Sequence, residues 1–120
     1  MSEKVCIRLD IKDDDVLVDT LKEMGYSPKV DQSEQKIKVI TVQSSQFNGY
    51  RDAVFTRTQN GMDLRMDGSD RHKFNEVKMK QLYGSNRVMK AIRSKPTKYG
   101  SVKKTVDEKG NIRVRAFVRA

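Results

Sequence analysis

The chain has one cysteine, one histidine and no tryptophan in 120 residues. A single thiol, Cys6, excludes an intrachain disulfide and leaves no cysteine set for a zinc site, so a reducing, cytoplasmic setting is expected. A single imidazole, His72, leaves no histidine cluster for a metal. Any Ser-His-Asp or Cys-His arrangement would have to recruit it from the segment before the second helix. Long apolar runs are missing too: none exceeds three residues, as in Val16-Leu17-Val18, against the roughly 20 that cross a bilayer. The first ten residues carry no signal-peptide core. Neither membrane partner nor recognisable export is expected, and the setting becomes the host cytoplasm if the protein is viral. No Gly-x-x-x-x-Gly-Lys-Ser/Thr or Gly-x-Gly-x-x-Gly occurs, which removes the standard nucleotide-hydrolase and dinucleotide signatures. No cofactor and no catalytic residue is called for.

Negative charge is scarce after residue 70. Residues 71 to 120 hold 15 Lys and Arg against three acids (Glu76, Asp107, Glu108), net +12; residues 1 to 70 hold 10 against 13, net −3. The whole chain is +9. A field of that sign and size gathers phosphate-bearing ligands, so the expected partner is an anionic nucleotide ligand or a nucleic acid.

What is present reads as one compact domain with a thin core, since 36% of residues are apolar and they run through every segment. Val5, Ile7, Leu9 and Ile11 alternate with polar residues and predict a strand. Asp13-Asp14-Asp15 supply an N-cap and first-turn acids for a helix over 14–24, with Leu17, Leu21 and Met24 on its inner face and Gly25 ending it. Lys36 to Val42 reads as a strand. Asn60-Gly61, between Ala53–Thr58 and Met62–Met66, predicts a hairpin closed by a type I′ turn. A second helix begins near Asp70 and runs to Pro96, with Gly84-Ser85 as an ordinary tight packing point, a kink, or a boundary between two shorter helices. Val102–Val106 and Ile112–Val118 predict a last hairpin, with Val114 and Val118 on one side and Arg113, Arg115, Phe117 and Arg119 on the other. The order β-α-β-β-β-α-β-β predicts an α+β fold, a five- or six-stranded antiparallel or mixed sheet with two helices packed on one face. The other face would stay open for a ligand or subunit, making a homo-oligomer the expected state.

The spacing Ile7-x-x-x-Ile11-x-Asp13-x-x-x-Leu17-x-x-x-Leu21-x-x-Met24-Gly25-Tyr26 resembles the opening of a family of small plastid, cyanobacterial and bacteriophage proteins of unknown function. In that family a strand runs into a helix ending in a Leu-Gly-Tyr-like element. Gln81-Leu82-Tyr83 and the Asp107 to Gly110 turn match its later features, while the shorter start and more basic second half depart from it. The resemblance implies a fold more than a function. By analogy with phage accessory proteins it implies a sponge for cyclic nucleotide immune signals, a role in anti-defence.

Two clusters carry the candidate binding chemistry. Phe47-Asn48-Gly49-Tyr50-Arg51 joins aromatics, an amide and a guanidinium in one loop, groups suited to stacking a base and holding a phosphate. Tyr83, Asn86, Arg87, Lys90 and Arg93 fall on one helical stripe, expected to be exposed opposite Val88 and Ile92. Lys98 and Tyr99 extend that surface into the next loop, and Arg113 and Arg115 add a basic hairpin. Cys6 reads as a packing residue rather than a nucleophile. The leading expectation is a non-enzymatic nucleotide-binding protein, with Tyr50 and Tyr83 stacking on bases and Arg51, Arg87, Lys90 and Arg93 holding phosphates. The alternatives are a DNA- or RNA-binding or ribosome- or transcription-associated accessory protein, and an inhibitor that docks on an acidic host protein.

Overall fold

A computed structural model of the chain describes residues 3–32, 38–94, 99–106 and 109–118. The fold is α+β, as the element pattern predicts, and it divides into two compact units between Glu76 and Val77.

The first unit contains β1 (Lys4–Leu9), α1 (Asp14–Glu23), β2 (Lys29–Gln32), β3 (Lys38–Val42), β4 (Ala53–Arg57), β5 (Met62–Asp67) and α2 (Arg71–Phe74). Its strands form one antiparallel sheet in the order β1-β5-β4-β3-β2. The register puts Ile7 opposite Leu64, Leu64 opposite Phe55 and Phe55 opposite Ile40, so one apolar row crosses four strands. Leu64, Phe55 and Ile40 are fully buried, as are Leu17 and Leu21 of α1. Each such side chain contributes roughly 1.5–3 kcal/mol relative to an exposed one. Phe74 stacks on Tyr26 at 5.4 Å between ring centroids and meets Phe47 edge-on at 5.5 Å. The Tyr26 hydroxyl donates to the Phe74 carbonyl at 3.1 Å, and burial raises its pKa.

Asp13 caps α1, accepting from the Val16 amide at 3.1 Å, and Asp14 in the first turn pairs with Arg57 and, at 3.9 Å, with Lys38. Other details depart from the sequence reading. β2 was not expected, because none of Lys29, Val30, Asp31 and Gln32 is buried and no apolar alternation marks it. Pairing to the free edge of β3 makes it a strand. The β4–β5 hairpin forms, but neither Asn60 nor Gly61 has a positive φ, so the turn is not type I′. Thr58 to Gly61 make the loop, closed by the Thr58 amide donating to the Gly61 carbonyl at 2.8 Å. Glycine is needed there because a Cβ on Gly61 would strike the Leu9 carbonyl. Cys6 is exposed on the opposite side of the sheet from Ile7, where it packs against no core.

α3 (Glu76–Arg93) opens at the end of the first unit and supplies the helix of the second, with β6 (Tyr99–Val106) and β7 (Ile112–Val118). Among the described residues, β6 and β7 pair only with each other, as a two-stranded ribbon. The helical stretch after Asp70 is two helices, and the break falls at Asn75, in the left-handed region at φ 63°. Asn tolerates that conformation better than other residues with a Cβ. α3 then runs unbroken through Gly84.

Candidate nucleic-acid interface

In the ribbon, Lys103 lies directly opposite Arg115 and Thr105 opposite Arg113. Opposed residues share a face, and all four are exposed. Neither strand contains an Asp or Glu; the acids nearest in sequence, Asp107 and Glu108, lie between the strands, outside the described residues. The other face carries Lys104 opposite Val114 and Val106 opposite Ile112. From it Lys104 donates to the Asn86 side chain of α3 at 3.0 Å, tying the ribbon's back to the helix. On α3, Lys80, Arg87, Lys90 and Arg93 are exposed.

Two members of the stripe expected to face outward, Tyr83 and Asn86, lie on the covered side of this helix. Tyr83 is 6% exposed, beside buried Met79 and Leu82, and Asn86 is half-buried against Lys104, whereas Val88 is 50% exposed. Met79, Leu82, Tyr83, Asn86 and Met89 follow the i, i+3, i+4, i+7, i+10 spacing of a covered face. The cations at 87, 90 and 93 share a stripe with Tyr83 and Asn86, and this masks the apolar spacing in the sequence. Of the predicted stripe, Arg87, Lys90 and Arg93 reach solvent and Tyr83 does not present its ring. Lys98 lies outside the described residues, and Tyr99 is fixed only as the first residue of β6.

The loop cluster Asn48, Tyr50 and Arg51 belongs to the first unit. Asn48 is left-handed at φ 55°, and the Gly49 amide donates to the Ser44 carbonyl at 2.9 Å. The amides of Tyr50 and Arg51 both donate to one oxygen of Asp70, at 2.8 and 3.2 Å, and that carboxylate is fully buried. A Cβ on Gly49 would run into the Phe47 ring and the Asp70 carboxylate, so the loop closes only on glycine. Phe47 is buried in the aromatic cluster, while Tyr50 remains 68% exposed. Lys73 lies over the Tyr50 ring at 4.8 Å and donates to the Asn48 carbonyl at 3.3 Å; Arg51 sits 3.7 Å from buried Asp67. Lys73 and Asp70 were not legible as parts of this loop, because both arrive from α2 and its approach, some 20 residues later.

A cleft of about 720 Å³ in the same unit opens between the end of β1 and the β4–β5 turn. Arg8 and Lys12 line it together with Asp10 and Asp63, so its charge is balanced, and none of the sequence-predicted site residues is in it. No protein-family model, curated protein or solved structure matches the chain.

Proposed function

We propose that the chain is a non-enzymatic nucleic-acid-binding protein whose contact surface is the outer face of the β6–β7 ribbon. The observation that carries this is the placing of Lys103 opposite Arg115 with Arg113 two residues along, exposed and with no acid in either strand. Like charges directly opposite on a ladder destabilise it. Their Cβ atoms stand about 5 Å apart, inside the Debye length of about 8 Å at physiological salt, so the repulsion is not screened away. A line of phosphates relieves it. A two-stranded ribbon also has the width to enter the major groove of B-form DNA, which is roughly 12 Å across.

The small-nucleotide reading of the same cations loses an anchor, since the Tyr83 ring is buried and Asn86 is engaged by Lys104. A polyanion track needs neither.

The test is fluorescence anisotropy of the full chain with a DNA duplex of about 20 base pairs over a salt series. Three neutralised phosphates alone give a slope near −2.7 in log K against log salt, or about 40-fold weaker binding between 50 and 200 mM. Replacing Lys103, Arg113 and Arg115 with Gln lowers the slope by about 3. Binding that ignores salt, or a triple variant with the parent slope, overturns the assignment and leaves an acidic protein partner as the reading to pursue.

A further inference from the structure

The loop at Tyr50, in the first unit, is held by a buried carboxylate. Burying a carboxylate costs several kcal/mol unless its oxygens are matched by donors. One Asp70 oxygen accepts from the Tyr50 and Arg51 amides, while the other is buried without a hydrogen-bond partner. This incompletely matched acid holds the backbone on either side of an aromatic ring that packs into no core. Asn48 in a left-handed conformation, the close fit at Gly49 and the Asp52 carboxylate accepting from the Ser44 amide at 2.8 Å fix the rest of the turn. A loop held this firmly presents its side chains with little ordering entropy left to lose on binding. Lys73 occupies one face of the Tyr50 ring; at 68% exposure, the other face is open. Arg51, the next residue, and Lys73 are both exposed; the Arg51 guanidinium stays 3.7 Å from the Asp67 carboxylate, which like that of Asp70 is buried.

We infer that this loop is a separate site for a nucleoside monophosphate unit, its base stacked on the open face of Tyr50 and its phosphate drawn to Arg51 and Lys73. A planar π-system and an anion on one small ligand match what the loop offers, and a phosphate alone or a base alone satisfies half of it. The unit can be a free nucleotide or an unpaired residue of a single strand; the chemistry at the loop is the same.

The inference stands independently of the ribbon, so the test uses the full chain carrying K103Q, R113Q and R115Q. Amide chemical shifts are followed by NMR during titration with adenosine 5′-monophosphate, adenosine and ribose 5-phosphate, at physiological salt. Shifts confined to residues 48–52 and 70–73, with the monophosphate binding more tightly than either half, are expected. Tyr50→Ala weakens it at least about 5-fold, the scale of one lost base stack, and Tyr50→Phe keeps it within about 2-fold. A pentameric oligodeoxyadenylate binding more tightly than the monophosphate assigns the site to a strand; equal binding assigns it to the free nucleotide. Ribose 5-phosphate matching the monophosphate, Tyr50→Ala without effect, or no shifts at all would overturn the inference.

Discussion

The two units use charge in opposite ways. Residues 1 to 76 hold 12 Lys and Arg against 14 Asp and Glu, net −2, while residues 77 to 120 hold 13 against 2, net +11. In the first unit the charges fix geometry. Arg57 pairs with Asp14 and also donates to the Gly61 carbonyl at 2.9 Å, Arg71 holds buried Glu76, and Asp70 holds a loop. In the second unit the two acids cannot match 13 cations, and the ribbon sets like charges against each other. Self-repulsion of that kind lowers the stability of a compact state and raises its attraction for polyanions. The boundary set by packing, between Glu76 and Val77, is thus close to the boundary set by charge.

The comparison breaks most readily at Phe74. This ring is fully buried and meets Tyr26, Phe47 and Phe55. Phe74→Ala removes all three contacts and is expected to cost about 3–5 kcal/mol, read as a lower midpoint in urea unfolding. Where the variant remains folded, the salt slope expected of the proposed nucleic-acid binding stays at its parent value, because no cation is removed. A slope that falls with stability would mean that the basic surface depends on the first unit's core.

A smaller effect of different character is expected at Tyr26. Its hydroxyl donates to the Phe74 carbonyl, and burial raises its pKa above the ordinary 10.0. The neutral form is therefore favoured in the folded chain, and below pH 10 this tyrosine adds no pH dependence. As pH climbs past 10 the unfolded chain ionises first, and stability falls through the raised folded value. Tyr26→Phe should cost about 1 kcal/mol at neutral pH by losing one hydrogen bond. It should also flatten the alkaline limb of a stability-against-pH curve; an unchanged limb would show that Tyr26 does not set it.

Local periodicity made most elements legible. Val5 to Leu9 alternates cleanly, Asp13 is a cap by composition and by position, and the paired runs on either side of Asn60-Gly61 form the expected hairpin. What was hidden depends on partners distant along the chain. β2 exists because β3 has a free edge, and Gly61 is required by the Leu9 carbonyl rather than by its own φ. The charge surplus was visible from composition, and alternation put Arg113 and Arg115 on one side of the last hairpin, where both are exposed. The pairing of Arg115 with Lys103 needed the register. Tyr50 and Arg51 were visible as candidates, whereas the carboxylate that fixes them was not, since Asp70 reads in sequence as the start of a helix.

The finest distinction concerns Gly84, where the sequence allowed a packing point, a kink or a boundary and the structure has an unbroken helix. A Cβ built there meets nothing within 4 Å, and the residue is exposed. In a continuous helix, alanine at such a position restricts the unfolded chain without a clash in the folded one. Gly84→Ala should therefore stabilise by about 0.5–1 kcal/mol, a small upward shift in the urea midpoint. Were the helix bent at that point, the same substitution would be neutral or harmful. Asn75, where the helical stretch does break, is left-handed and gains nothing from alanine. Because Gly84→Ala moves no charge, the proposed nucleic-acid binding should keep the parent's salt dependence, separating the rigidity of the second unit from the field it carries.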